Sequence, residues 1–185
     1  MGAGKSTALA MLEELGAATL STDAVVHELL ESDEMRDELV ARFGEQVAPN
    51  GKIDRSAVAL LVFEQPDERK WLEGALWPRV GQRVDGWRRE AVARDPAPRA
   101  LVVEVPLLFE AGMEAVFDHT IAVVTDEAAI AERTADRGHA GVASRASRQL
   151  SQKEKAERAE YVVRNDGDID ELRATLSGLL ENIGT

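Results

Sequence analysis

The first seven residues constrain the fold most, because they place glycines, a lysine and hydroxyl residues directly before a helical pattern. Gly4, Lys5 and Ser6 match the last three positions of the phosphate-binding loop pattern G-x-x-x-x-G-K-[ST]. Glycines let successive backbone N–H groups turn towards phosphate oxygens, and the following helix adds the positive end of its dipole. In such a loop Lys5 reaches the β- and γ-phosphates, and the Ser6 hydroxyl is a ligand of Mg²⁺. The predicted ATP-binding segment consists of Gly2, Ala3, Gly4, Lys5, Ser6 and Thr7.

Two parts of this pattern are absent from the sequence as it stands. The first glycine of the motif and the strand that feeds it would both precede Met1. We therefore expect about ten in-frame codons upstream, which encode a Val/Ile/Leu-rich strand followed by Gly-Gly. The alternative interpretation of the segment is a flexible, glycine-rich terminus in which Ser6 caps a helix.

Charge and composition argue against several classes of protein. The formal net charge is −12, which is unfavourable for general binding to nucleic acids or membrane surfaces. The chain contains no cysteine, so disulfides and cysteine-ligated metals are excluded. The most apolar stretch, residues 101–109, is too short to span a bilayer and contains Glu104. We expect a cytoplasmic protein without a nucleic-acid or membrane partner.

Strands alternate with helices along the chain. Apolar runs predict strands at residues 17–22, 100–105, 120–124 and 161–163. Because helical patterns separate these runs, we predict an α/β fold with a parallel, doubly wound sheet. Gly16 is a predicted helix C-cap, and Asp168 with Glu171 resembles a capping box before a closing amphipathic helix. Asp126 is expected to begin a helix that runs to about Arg137.

A long helical pattern interrupts this alternation. It covers residues 33–95 and is expected to break near residues 49–51, at Pro66 and at Pro78. All three tryptophans lie in it, and they indicate packing within the insertion rather than ligand stacking. The predicted domains are a core made of residues 1–32 and 96–185, and a helical insertion at residues 33–95.

Basic residues are concentrated in one segment near the end of the chain. Residues 133–158 contain seven Lys or Arg and three Asp or Glu, although the whole chain is strongly acidic. Clustered guanidinium groups suit phosphate recognition. Arg133 and Arg137 lie four residues apart, so they can share a helix face, and Arg137 precedes Gly138, where a lid could hinge. For each of these arginines and for Arg145, a solvated surface position is the alternative.

Asp23 is the candidate general base. It follows an apolar strand and therefore lies at the carboxyl end of the predicted sheet, where open α/β folds bind their ligands. A carboxylate there can accept the proton of an attacking hydroxyl group. The alternative is that Asp23 only caps the next helix. His27, one turn further along, faces either the same acceptor or the solvent. Glu104, at the end of another strand, is a candidate metal ligand through water.

Several further motifs together resemble the dephospho-CoA kinase family, and the resemblance runs over nearly all of the chain. The motifs that carry it are Ser21-Thr22-Asp23, Phe43-Gly44, Gly51-Lys52-Ile53-Asp54-Arg55, Val105-Pro106-Leu107-Leu108-Phe109-Glu110, and the spacing of Arg145, Gln149, Lys155 and Ala159. Two positions depart from the family pattern. Ser21 replaces the first Asp of an Asp-x-Asp motif, and Trp77 replaces the His of a His-Pro motif.

The resemblance implies a P-loop kinase fold with a helical insertion and a lid at about residues 138–158. It implies transfer of the γ-phosphate of ATP to the ribose 3′-hydroxyl of dephospho-CoA, with Mg²⁺ required. The implied catalytic residues are Lys5, Asp23 and Arg137. The implied ATP contacts outside the loop are Arg133, Arg137, Arg145 and Asn165, and the implied dephospho-CoA contacts are Asp23, His27 and Leu107. For Asn165, a turn in Asn165-Asp166-Gly167 is an equally good interpretation.

Two other functions are compatible with the loop. One is a P-loop kinase that acts on nucleosides or sugars, although the long helical insertion and the segment at residues 105–110 argue against it. The other is a non-catalytic ATP-binding protein, because the loop pattern is incomplete. The oligomeric state has no signal in the sequence.

Overall fold

The computed structural model describes residues 3–126 and 149–183. The chain divides into two compact units, one of Met1–Leu20 with Ala91–Thr185 and one of Ser21–Glu90. The sequence analysis predicted a helical insertion at residues 33–95 and a core made of the rest of the chain. That division into domains stays a prediction.

The first helix of the larger unit is α1 (Lys5–Glu14), which begins directly after Gly4. It ends at Leu15, and Gly16 follows with a φ of 95°, a left-handed conformation that favours glycine. The N–H of Gly16 donates to the Glu13 carbonyl, and the N–H of Ala17 donates to the Leu12 carbonyl. The predicted C-cap at Gly16 is therefore confirmed.

All four predicted strands are present in the described residues. They are β1 (Ala18–Ser21), β2 (Leu101–Glu104), β3 (Ile121–Val124) and β4 (Tyr161–Arg164). β1 pairs with β2, and β3 runs parallel to β4 with Ile121 opposite Tyr161. The mixed α/β fold with parallel strands is confirmed. Within the described residues, however, the strands form two sheets of two strands, and every residue of β2 is half-buried.

The core of the larger unit lies where α1 packs against the closing helix α7 (Ile169–Ile183). Between β3 and β4 comes the short helix α6 (Gln152–Arg158). Asp168 caps α7 as predicted, since its Oδ1 accepts from the N–H groups of Asp170 and Glu171. The buried core residues are Ala8, Met11, Leu12, Ala17, Val163, Leu172, Leu176, Leu179 and Leu180.

The smaller unit is helical. Its helices are α2 (Thr22–Glu31), α3 (Asp33–Phe43), α4 (Arg55–Glu64) and most of α5 (Pro66–Val92). The predicted break near residues 49–51 is confirmed by two 3₁₀ turns, Glu45–Val47 and Pro49–Gly51, and α5 begins at Pro66 as predicted. Trp71 packs edge-on against Phe43, in line with its predicted packing role. Trp77 is 58% exposed, so the prediction that it packs within the insertion is wrong.

The predicted break at Pro78 is wrong, because α5 continues through it. Pro78 lacks the N–H that would reach the carbonyl of the preceding turn, so one helical hydrogen bond is lost there. The next residue adds other contacts at this point of the helix. The Arg79 guanidinium donates to the Ala75 carbonyl at 2.8 Å and forms ion pairs with Glu34 and Glu38 of α3. Contacts between the two helices therefore hold α5 together where its local sequence favours a break.

No helix in residues 3–126 or 149–183 combines the length and the apolar character needed to cross a bilayer.

Candidate active site

The loop at residues 3–7 is held from the side by Asn165, which follows β4. Gly4 has a φ of 86° and a ψ of 22°, in the left-handed region. The Asn165 side-chain N–H donates to the Ala3 carbonyl at 3.0 Å, and both residues are buried. A Cβ atom at Gly4 would overlap the Asn165 carboxamide. Glycine is therefore required at Gly4 by its backbone conformation and by the close approach of a side chain.

Ser6 does not cap α1. The residue before the helix is Gly4, no side chain accepts a capping hydrogen bond there, and Ser6 is the second residue of the helix. The alternative interpretation of the segment as a terminus capped by Ser6 is therefore wrong. Lys5 is half-buried, while Ser6 and Thr7 are exposed at the helix N-terminus.

Gly4→Ala should raise the Kd for ATP at least about tenfold and lower the Tm, because a left-handed non-glycine residue costs about 1–2 kcal/mol and Asn165 must also move. Isothermal titration and thermal unfolding measure the two effects. The matched control is Gly178→Ala in α7, where an added Cβ meets no atom within 4 Å. This variant should keep the affinity for ATP. Unchanged ATP affinity in Gly4→Ala would contradict the assignment of the loop.

The carboxyl ends of β3 and β4 form a polar junction next to the loop. Thr125 is buried, and its hydroxyl donates to the Asn165 carbonyl at 2.9 Å. The Asn165 N–H donates to the Val124 carbonyl at 2.8 Å, and the Asp126 N–H donates to Asp166 Oδ1 at 2.7 Å. Ligands of open α/β folds bind at the carboxyl ends of such strands. The junction and the loop thus lie together where a nucleotide is expected.

Two carboxylates of the segment after β2 pair with cations of α6. Glu110 Oε1 accepts from Lys155 Nζ and from the Leu150 N–H, both at 2.9 Å, while Glu110 Oε2 is buried without a hydrogen-bond partner among the described residues. Burial opposes ionisation of Glu110, but its hydrogen bonds with Lys155 and with backbone N–H groups outweigh that effect, so its pKa is lowered. Glu114 pairs in the same way with Arg158.

The Glu110 pair should make stability depend on pH. Because the pKa of Glu110 is lowered in the folded state from its ordinary 4.5, the pair stabilises the fold above that pH. This stabilisation is lost as the pH falls through the lowered pKa. The Tm of the wild type should exceed that of Glu110→Gln at pH 7, and the gap should narrow below about pH 4.5. Glu181→Gln, at an exposed position of α7, is the control. A gap that does not change with pH would contradict the expectation.

The other predicted site residues fall into three groups. Leu107 is half-buried in the segment after β2, and its carbonyl accepts from the Ala111 N–H. Asp23 and His27 belong to the smaller unit, where Asp23 is half-buried in the first turn of α2 and His27 is exposed. The residues that lie outside the described part of the chain are Gly2, Arg133, Arg137 and Arg145, together with the helix expected after Asp126 and the predicted lid up to residue 148.

Asp23 is not the N-cap of its helix. Ser21 occupies that position, and Asp23 is the second residue of α2. The interpretation of Asp23 as only a capping residue is therefore wrong.

Ser6 and Glu104 suit a metal that is held mainly by its substrate. Residues 3–126 and 149–183 contain no cluster of three or more Asp, Glu or His side chains able to hold a metal ion by themselves. Mg²⁺ in phosphate-transfer sites is usually bound through one or two protein groups plus waters and phosphate oxygens. The exposed Ser6 hydroxyl at the start of α1 and Glu104 at the end of β2 fit this mode.

Comparison with known proteins decides the family. The family model described as dephospho-CoA kinase matches residues 1–171. The chain belongs to the dephospho-CoA kinase family. It is 36% identical to the dephospho-CoA kinase of Symbiobacterium thermophilum, over 94% of this chain and 74% of that protein. It is 35% identical to the dephospho-CoA kinase of Protochlamydia amoebophila, over 99% of this chain and 92% of that protein.

Solved structures support the P-loop kinase fold. The crystal structure of TT1252 from Thermus thermophilus matches with a TM-score of 0.79 and 29% identity, over 99% of this chain and 93% of that chain. Dephospho-CoA kinase from Campylobacter jejuni matches with a TM-score of 0.68 over all of this chain and 93% of that chain, and at 21% identity it supports the fold alone. The predicted resemblance to the dephospho-CoA kinase family is thus confirmed.

Sequence reasoning missed Gln152 and Thr125. The Gln152 carboxamide accepts from the Thr125 N–H at 2.8 Å and donates to the Thr125 carbonyl at 2.7 Å. A lone Gln at the start of a short helix has no local signal for such a role. The basic segment at residues 133–158 and the family spacing of Gln149 and Lys155 drew attention to this stretch, but neither points to Gln152 itself.

Proposed function

We propose that this chain transfers the γ-phosphate of ATP to the ribose 3′-hydroxyl of dephospho-CoA, the last step of coenzyme A biosynthesis. The observation that carries the proposal is the loop at residues 3–7 in a chain of this family. Its glycine is left-handed, its backbone is held by Asn165, and α1 follows directly. This arrangement suits a phosphate group at the positive end of the helix dipole.

The loop residues are proposed to position the phosphates. The Lys5 ammonium group compensates the charge that develops on the β- and γ-phosphates, and backbone N–H groups at the start of α1 bind their oxygens. Mg²⁺ is proposed as a required cofactor, with Ser6 as its main protein ligand and Glu104 acting through water. When bound, Mg²⁺ neutralises phosphate charge and orients the transferred group. Catalysis is then mostly a matter of positioning and electrostatic stabilisation.

Asp23 is proposed to accept the proton of the ribose 3′-hydroxyl or to orient it for in-line attack. Its support is its position just after β1, because ligands of such folds bind beyond the carboxyl ends of the strands. His27 lies one turn further along α2, and we propose that it contacts dephospho-CoA together with Leu107.

The remaining ATP contacts are proposed from the sequence pattern. They are Arg133, Arg137 and Arg145, with Arg137 as the catalytic arginine, and Asn165 beside the loop. Residues 33–95 are proposed as the substrate-side domain and residues 138–158 as the lid. We further propose a cytoplasmic enzyme whose partners are small molecules, not nucleic acids or membranes, in keeping with its net charge of −12.

A substrate panel tests the proposal. Purified protein with ATP and Mg²⁺ is offered dephospho-CoA, a set of nucleosides and gluconate, and ADP formation is followed. We expect turnover with dephospho-CoA at least about 10²-fold faster than with the other acceptors, since a site built for a large ligand uses its remote groups to position the reacting one. Faster turnover of a nucleoside or of gluconate would contradict the proposal that dephospho-CoA is the acceptor. ATP binding without turnover of any acceptor would contradict the proposal that the protein is an enzyme.

A further inference from the structure

Four residues form a hydrogen-bonded series between α6 and the phosphate loop. The series begins at Gln152, whose carboxamide makes two hydrogen bonds with the backbone of Thr125, as a neighbouring strand would. The Thr125 hydroxyl then donates to the Asn165 carbonyl, and the Asn165 side chain donates to the Ala3 carbonyl. We call Gln152, Thr125, Asn165 and Ala3 the amide relay.

The middle of the relay is buried. Thr125 and Asn165 are 5% and 8% exposed, and they are the buried polar residues of the described chain. A buried polar group that loses its partner keeps its full desolvation cost, so each bond of the relay constrains the next one. We therefore expect a displacement of Thr125 to affect the position of Asn165.

The far end of the relay contacts the loop at two points. The Asn165 carboxamide holds the Ala3 carbonyl and fills the space beside Gly4. The orientation of the peptide between Ala3 and Gly4 determines where the following N–H groups point, and these groups are the phosphate donors of such a loop. A small displacement of the reacting groups lowers the rate of phosphoryl transfer strongly, because positioning supplies most of the catalysis in this reaction.

The near end of the relay is held by contacts with the segment after β2. The ion pair between Glu110 and Lys155, and the bond from the Leu150 N–H to Glu110, fix both ends of the turn that carries Gln152. A second pair, Arg158 with Glu114, holds the last turn of α6. Gln152 therefore stands on a helix that is anchored independently of the loop.

We propose that Gln152 is a positioning residue for phosphoryl transfer, acting on the phosphate loop through Thr125 and Asn165. In this proposal Gln152 contacts neither ATP nor dephospho-CoA. It acts by fixing the direction in which the N–H groups of the loop point. The proposal rests on the proposed kinase function for its kinetic consequences, but its consequence for ATP binding does not depend on the acceptor.

Gln152→Glu tests the relay with a side chain of the same shape. The introduced carboxylate still accepts from the Thr125 N–H, but it repels the Thr125 carbonyl. We expect a loss of about three- to tenfold in affinity for a non-hydrolysable ATP analogue, and a similar loss in kcat, as expected for one hydrogen bond. The KM for dephospho-CoA should not change. The matched control is Lys153→Gln on the same helix, which changes the charge by the same amount at a side chain that is 85% exposed.

The pH dependence separates positioning from simple destabilisation. A protonated carboxyl group can donate to the Thr125 carbonyl as the amide does. Because a glutamate side chain protonates at about pH 4.3, the loss of ATP affinity of Gln152→Glu relative to the wild type should shrink as the pH falls from 7 to about 4. The neighbouring charged groups are Asp126 and Asp166 at the strand ends, Glu110 across from α6, and Lys153, Glu154 and Lys155 on α6. They are the same in the wild type and in every variant of this series. The Met side chain in Gln152→Met can neither donate nor accept these hydrogen bonds. This variant should therefore lose ATP affinity by a factor that does not change with pH.

A double-mutant cycle with Asn165→Ala completes the test. If the relay acts as one unit, the two substitutions together should weaken ATP binding less than the product of their separate effects. Multiplicative effects, or wild-type ATP affinity and kcat in folded Gln152→Glu and Gln152→Met, would overturn the proposal. If the Gln152 variants lose ATP affinity but the wild-type protein phosphorylates no acceptor, the relay is supported and the proposed function is refuted.

Discussion

Replacing Lys5 with alanine should lower kcat by about 10²- to 10³-fold, the range found when one preorganised electrostatic group is removed from a transition state. Lys5 is the first residue of α1 and is half-buried, and the residues of α1 that enter the core are Ala8, Met11 and Leu12. Alanine is also the best helix former, so the fold should persist. Steady-state kinetics and thermal unfolding measured on one preparation separate the two effects.

Lys153→Ala is the control for this experiment, because that side chain is 85% exposed on α6. It should keep wild-type kinetics. Lys5→Arg should not restore activity, since the planar guanidinium group does not replace a compact ammonium group at a point contact. Activity of Lys5→Ala within a few-fold of the wild type would show that Lys5 is not the phosphate lysine.

Asp23→Asn should lower kcat by about 10²-fold or more, in line with typical general-base contributions. Asparagine keeps the shape of the side chain but cannot accept the proton. In the first turn of α2 the carboxylate also interacts with the helix dipole, which is worth about 0.3–1 kcal/mol. The Tm should therefore fall only slightly.

The matched control is Asp170→Asn, because Asp170 is also the second residue of its helix, α7, and is exposed. It removes the same charge from the same helical position and should leave kcat unchanged. A folded Asp23→Asn protein with near wild-type activity, or a variant that loses activity only in proportion to its unfolded fraction, would make Asp23 a structural residue.

Local signals were enough to predict most of the secondary structure. Gly16 ends α1, Asp168 caps α7 and Pro66 begins α5, and each of these acts through the backbone of its own turn. The predicted break at Pro78 was wrong, because contacts with residues far away in the sequence decide whether the helix continues there. Arg79 binds Glu34 and Glu38 of another helix, about forty positions away in the sequence, and no local pattern contains that information.

The same distinction applies to the candidate site. The glycines and lysine of the loop are adjacent in sequence, so the motif predicts them together. The groups that hold the loop are not adjacent: Asn165 reaches Ala3 across 162 positions, and Gln152 reaches Thr125 across 27. Asn165 was singled out by family resemblance and not by its bond to the loop. Such supports depend on which strand ends meet in the fold.

The central claim is the transfer of phosphate to one hydroxyl group of dephospho-CoA, and the position of the new phosphate tests it most directly. Product is made from dephospho-CoA, ATP and Mg²⁺, and its phosphate is located by phosphorus and proton NMR. We predict a single new phosphomonoester on the ribose 3′-oxygen, formed with one equivalent of ADP. A phosphate on the 2′-oxygen or on the pantetheine end, or ATP consumption without a phosphorylated product, would contradict the proposed function.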